Sequence, residues 1–206
     1  MFERLLKEGA IGPITYLKYR SAHNGPREIG CDPEFWEWLY DGERNGAGAY
    51  MDYCCYAADL CASVLGLPQQ VMGMRGIFAK DYPLPDDNAV VVMRYPRAFG
   101  VAEASWTQTV GYATANPVAY GTEGSLVIQD GKLLLQRPGK QTETITPPPT
   151  EAPRRSGPEY LVHSIETGEP IEGYCSPKVS RDAQEILEAG LRSADSGQFV
   201  ILPING

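Results

Sequence analysis

The sequence has no long apolar run, no basic run and only two histidines. None of its hydrophobic segments approaches the roughly 18 residues that a membrane span requires. Its 18 lysines and arginines are scattered, with nothing longer than Arg154-Arg155, so a nucleic-acid backbone would meet no continuous positive footprint. No membrane and no nucleic acid are expected as partners. Five cysteines (Cys31, Cys54, Cys55, Cys61, Cys175) form no C-x-x-C pair, and no histidine cluster completes a four-ligand set, so no metal is expected and Cys54, Cys55 and Cys61 read as small buried hydrophobes. Their odd number and vicinal pair do not suit a disulfide framework, and a reducing, cytoplasmic setting fits best. Phosphate cradles are missing too. The nearest approach to a dinucleotide fingerprint, GAGAYM from Gly46 to Met51, has methionine at the third glycine position and follows DGERN, which is no strand.

What is present is ordinary globular material: 206 residues, 43% hydrophobic, 21% charged, with a formal net charge of -8. That suits one domain over 1–206 with one sizeable core. The opening MFERLLKEG interrupts its apolar residues with Glu3, Arg4 and Lys7, which predicts an amphipathic helix closed by Gly9 rather than a signal peptide. A strand is expected from Ile14 to about His23, a loop with a helical turn from Asn24 to Asn45, and a buried helix from Ala47 to Leu65, stopped by Gly66 and Pro68. NAVVVMRY, VAEASWTQT, NPVAY, SLVIQ, KLLLQ and TETIT then follow one another between turn signals, as in an antiparallel meander, and Asp130-Gly131 suits a tight two-residue hairpin. A proline-rich connector leads to two helices, PEYLVHSIETG and SRDAQEILEAGLRSA, and QFVILP supplies a last strand. The fold class is α+β, a mainly antiparallel open sheet with helices packed on one face. Such a sheet leaves its other side uncovered, and Val91, Met93, Trp106 and Val110 supply apolar residues to it. A homodimer or homotetramer through the sheet is therefore expected.

The helix over Ala47 to Leu65 carries the most informative side chains. Asp52 and Tyr56 stand four residues apart, one turn from each other on one face, with Asp59 a further turn along. An acid and a phenol can meet one substrate there. A carboxylate on a mostly apolar helix is costly unless paired, and its proton affinity is often shifted. The plainer reading, in which Asp52 caps or pairs with backbone and Tyr56 fills core, stands beside it. His23 at the strand end, and Arg44 and Asn45 before the glycines, are candidate hydroxyl-binding groups, with a solvated surface role as the alternative. His163 sits among apolar neighbours and is expected on a core face without a catalytic role. Trp106, alternating with Ala102 and Ala104, reads as core, while Trp36 and Trp38 near Asp32 and Glu34 read as a lid.

The string GAGAYMDYCCYAADL (46–60) resembles the Gfo/Idh/MocA family of oxidoreductases, in which a glycine-rich lead-in opens a helix bearing an Asp and, four residues on, usually a His. VAYGTEGSLVI (118–128) and the stretch from EYLVHSI to FVILP (159–203) resemble later segments of the same family in the same order, so the likeness spans nearly the whole chain. The resemblance implies the substrate-binding and oligomerisation half of an enzyme whose other half is a Rossmann domain binding NAD or NADP. That domain, with the family's lysine in an E-K-P motif, is missing from this sequence, so no cofactor is expected to bind this chain alone. Asp52 would then orient a sugar, inositol or related polyol during hydride transfer, and Tyr56 stands where the acid/base His is usual. An unperturbed phenol titrates near 10, far above an imidazole near 6.5, so Tyr56 is either a strongly tuned acid/base or only a hydrogen-bond donor. The competing reading is a stand-alone carbohydrate-binding or dimerisation module without redox activity.

Overall fold

In the computed structural model, which describes residues 1–111 and 114–204, the chain opens with helix α1 (Phe2–Lys7) and turns through Gly9 and Gly12 into strand β1 (Ile14–Ala22). Helices α2 (Pro33–Tyr40), α3 (Gly42–Asn45) and the 17-residue α4 (Ala49–Leu65) follow. Strands β2 (Gln70–Gly76), β3 (Asn88–Arg94), β4 (Phe99–Ser105), β5 (Val118–Gly121), β6 (Ser125–Gln129), β7 (Lys132–Gln136) and β8 (Glu143–Ile145) come next. Helix α5 (Gly157–Thr167), a 3₁₀ turn at Gly173–Cys175, helix α6 (Pro177–Ser196) and strand β9 (Val200–Ile201) complete the order. The strands form one sheet, β8-β7-β6-β5-β1-β4-β3-β2-β9, in which every neighbour is antiparallel except β1 and β4. This is the expected α+β class with a mainly antiparallel open sheet.

Alternation along the strands sorts the side chains by face. Leu17, Val71, Val91, Met93, Ala102 and Ala104 point to the side covered by α4 and α6 and are buried. Small residues bring those helices close. A Cβ on Gly73 would lie 2.1 Å from the Gly190 carbonyl oxygen of α6, and one on Gly100 would lie 2.8 Å from Cys61 Sγ of α4. On the opposite face Met72, Met74, Phe99 and Tyr120 are exposed. Val91, Met93 and Trp106 thus belong to the covered core and not to the free side, while Val110, beyond β4, is exposed. The hairpin at Asp130-Gly131 has the expected positive φ at both positions, 50° and 71°.

Four further expectations are corrected. The strands from 88 onward are not a plain meander, because β1 inserts between β4 and β5. Strand β2 was not foreseen, since glycine occupies one of its inward positions. The 24–45 stretch holds two helices, with Asp32 and Asp41 accepting amide hydrogen bonds at their starts. Helix α5 buries none of its residues, so His163 is not on a core face; its Nε2 lies 3.1 Å from a Glu169 carboxylate oxygen.

Two adjacent acids before β3 tie these elements together. Helix α4 has Gly48 at its N-cap and no side-chain cap of its own. The buried Asp86 carboxylate supplies one from outside, accepting the Gly48 N–H at 3.1 Å and the Tyr50 N–H at 2.7 Å, with Arg75 at 3.4 Å. Asp87 accepts three successive amides, Phe78, Ala79 and Lys80, at 2.8–3.0 Å, and so shapes the β2–β3 connection. The Trp106 N–H donates to the Asp87 carbonyl at 2.8 Å. Replacing Asp86 with Ala would leave two buried amides without their acceptor, while the Arg75 guanidinium would keep its 3.0 Å bond to Asp195. Urea unfolding of Asp86→Ala is expected to show a loss of about 3 kcal/mol; a loss below about 1 kcal/mol would mean that this cap is dispensable.

Candidate functional site

Asp52 lies in the first turn of α4, where the Asp86 cap fixes the helix start. Its carboxylate is half-buried, and burial pushes its pKa above the ordinary value. One donor opposes that shift: the Trp106 indole Nε1–H, 3.1 Å from Oδ2. His23, just past β1, is close enough to feel the Asp52 charge, and burial lowers its pKa despite that carboxylate. Its Nδ1 accepts the Gly25 N–H at 2.8 Å, which leaves the neutral ring's proton on Nε2. The ring meets Tyr53 edge-on at 5.2 Å. Asp52 and His23, read separately from the sequence, lie within electrostatic reach of each other, with no direct hydrogen bond between them among the described residues.

Behind them stands a wall that sequence reasoning missed. Lys80 Nζ pairs with Glu28 at 2.7 Å and donates to the Asn24 carbonyl, and Glu28 also accepts the Tyr82 hydroxyl at 2.7 Å. Tyr82 and Tyr40 share a hydroxyl contact at 3.2 Å, and the Tyr40 ring lies 5.5 Å from Trp106. The Arg27 guanidinium sits over Tyr82 and Trp36, at 5.1 and 5.8 Å. Asp32-Pro33, an N-cap followed by proline at the first helical position, was the signal that could have placed Trp36 and Tyr40 on α2. Trp36 stacks on Tyr40 within this wall, whereas Trp38 is exposed beside Phe35, so the two tryptophans do not form one lid.

Tyr56, one turn along from Asp52, is 53% exposed and tilts against Tyr19 and Tyr53, with ring centroids 6.2 and 6.3 Å away. Burial, then the neighbouring Cys55 and Asp52, raise its pKa, so at neutral pH it is a phenol with a proton to donate. It lines a cavity of about 560 Å³ together with Tyr19, Asp59, Asn116 and Tyr174. Asp59 is half-buried, and burial reinforced by Glu3 pushes its pKa up to about 6. Arg44 and Asn45 join neither group. Arg44 is exposed on α3, and the Asn45 amide donates to the Ala47 carbonyl at 2.5 Å, knitting the turn into α4. Cys54 and Cys61 are buried, and desolvation pushes the Cys61 thiol up to about 12.

The glycine-rich lead-in does not fit a pyrophosphate. Its Gly48 and Tyr50 amides are already taken by Asp86, and a Cβ on Gly48 would lie 2.2 Å from the Asp86 carbonyl oxygen. Gly48 serves close approach of two chain segments.

A family model described as GFO/IDH/MocA C-terminal domain matches residues 2–127. Among solved structures, aldose-aldose oxidoreductase from Caulobacter crescentus, complexed with glycerol, is 22% identical with a TM-score of 0.77, covering 98% of this chain and 59% of its own. Levoglucosan dehydrogenase in complex with NADH and levoglucosan is 19% identical, TM-score 0.76, covering 98% and 62%. An oxidoreductase from Agrobacterium radiobacter in complex with NAD+, L-tartaric acid and magnesium is 17% identical, TM-score 0.73, covering 97% and 60%. At these identities the likeness is one of fold. The chain spans about three fifths of the length of the structures it matches. No curated protein matches it.

Two outcomes are expected from the site's electrostatics. Trp106→Phe removes the one donor that, among the described residues, favours the ionised form of Asp52, so the Asp52 pKa should rise further in a carboxyl NMR titration; an unchanged value would contradict the contact. Asp59 has a folded pKa, about 6, above the ordinary 3.8. Its favourable contribution to stability is therefore complete below about pH 3.8 and lost as pH rises through 6. Asp59→Asn should accordingly be more stable than the parent by about 1 kcal/mol at pH 7, after allowance for solvent screening. The difference should close near pH 4.

Proposed function

Since the chain belongs to the GFO/IDH/MocA C-terminal-domain family, we propose that it forms the substrate-binding half of a nicotinamide-dependent oxidoreductase acting on a sugar, inositol or related polyol. The observation that carries this reading is the Asp52 carboxylate: half-buried, bonded to an indole donor, and within electrostatic reach of the His23 imidazole at the start of a capped helix. A carboxylate with spare acceptor capacity next to an imidazole N–H suits a vicinal pair of hydroxyls, which both donate and accept. Asp52 takes the hydroxyl hydrogen, and His23 offers its Nε2–H to a neighbouring oxygen. Tyr56 acts as a hydrogen-bond donor, because its raised pKa removes it further from acid/base work near neutrality. Nicotinamide, as NAD or NADP, would accept or deliver the hydride, held by a nucleotide-binding domain beyond the described residues. Arg44 and Asn45 have no part in this reading.

The subunit contact is assigned to the sheet's uncovered face, where Met72, Met74, Phe99 and Tyr120 expose apolar surface around the paired Lys18, Glu103 and Arg20. Phe99→Glu should shift sedimentation toward the monomer; a parent chain that is already monomeric at micromolar concentration would remove the assignment.

The substrate reading is tested by titrating the chain with glucose and myo-inositol while following tryptophan fluorescence, since Trp106 touches Asp52. Millimolar binding is expected, weakened about tenfold in Asp52→Asn, equivalent to about 1.4 kcal/mol. Binding indifferent to Asp52→Asn, with the fold intact, would refute it.

A further inference from the structure

The cavity beside Tyr56 has an acid and no base. Among its described lining residues Asp59 is the single charged group, and no lysine, arginine or histidine accompanies it there. No side-chain hydrogen bond or ion pair reaches the Asp59 carboxylate among the described residues. The nearby Lys7 is engaged with Glu3 at 2.6 Å and Ser63 at 3.1 Å. Asn116 is equally committed: its side chain exchanges two 2.7 Å hydrogen bonds with the Arg20 backbone. What remains for a ligand is one unpaired carboxylate and the rings of Tyr19, Tyr56 and Tyr174.

A half-buried carboxylate without a partner is a cost to the fold, which shows in its raised pKa. Aromatic faces carry negative potential and attract cations, and an acid set among tyrosines adds a full charge to that attraction. A neutral hydroxyl can donate one hydrogen bond to Asp59 but leaves its charge uncompensated. An ammonium group supplies both the donors and the charge. The volume, about 560 Å³, suits a ring-sized molecule.

We propose that the cavity lined by Tyr19, Tyr56, Asp59 and Tyr174 binds the ammonium group of an amine-bearing ring, with Asp59 as its counter-ion, so that the ligand is an amino sugar or aminocyclitol rather than a neutral polyol. Because Tyr56 belongs also to the substrate site, this rests on the reading above and narrows its substrate class.

The test is calorimetric titration of the intact chain at pH 7 with glucosamine and with glucose, on the parent, Asp59→Asn, Tyr174→Ala and Asp52→Asn, each checked by melting temperature. Glucosamine should bind about tenfold more tightly than glucose to the parent. That preference should vanish in Asp59→Asn and shrink in Tyr174→Ala. Equal affinity for the two sugars, or a glucosamine preference that survives Asp59→Asn, overturns the proposal. If the sugars bind equally and both depend on Asp52, the ammonium site falls while the polyol reading stands. A preference that depends on Asp59 and is indifferent to Asp52→Asn keeps the cavity and removes the polyol role of Asp52.

Discussion

The Asp86 carboxylate, clamped on the Gly48 and Tyr50 amides, is the contact on which the site's geometry depends. Helix α4 starts without a capping side chain of its own, and the first turn it offers to solvent is the turn that carries Asp52. Burial drives the Asp86 pKa up, while the two amides and Arg75 pull it down. Its neighbour Asp87 shows the opposite balance. Burial opposes ionisation there too, but the Ala79, Asn88, Lys80 and Phe78 donors outweigh it and hold the pKa below the ordinary value. Through this pair the β2–β3 connection fixes α4, Trp106 and Lys80 at once, and those three set the surroundings of Asp52 and His23.

The site separates two kinds of charge. Glu28, Lys80, Asp86 and Asp87 are saturated by partners and act as fasteners. Asp52 and Asp59 are under-partnered, and burial raises both. A fold built for stability alone would pair or remove such groups. Their location on one helix flank, flanked by tyrosines, is what the proposed binding roles rest on.

Much of the fold could be read from local pattern. β1, the stop of α4 at Gly66, the Asp130-Gly131 hairpin and α6 follow from alternation, glycine placement and helical period. β2 escaped because Gly73 lies where an apolar residue would have completed the alternation, and the reason is tertiary: the α6 backbone at Gly190 leaves no room for a side chain. The insertion of β1 between β4 and β5 is a long-range pairing with no local signature. For the candidate site, the i, i+4 spacing singled out Asp52 and Tyr56 on one helix face, and a place at a strand end singled out His23; the structure puts these residues near one another, and their roles are proposals. Asp86-Asp87 carried no expectation from the sequence, since nothing in PDDN reveals that distant amides converge on it. Trp106 was correctly read as core, but its second role, donating to Asp52, depends on the orientation of one N–H. Arg44 and Asn45 precede α4 in sequence and are directed away from its Asp52 face by the turn that Asn45 itself stabilises.

The insertion of β1 has a consequence for synthesis. Its two sheet neighbours lie at residues 99–105 and 118–121, so a chain emerging from the ribosome exposes both edges of β1 until residue 99 has appeared, and one edge until residue 118. Local pairing cannot shelter it meanwhile, because the nearest elements in sequence are helices. The centre of the sheet is thus the part that closes late, and vectorial synthesis holds a nine-residue strand as a free template until β4 and then β5 have been made.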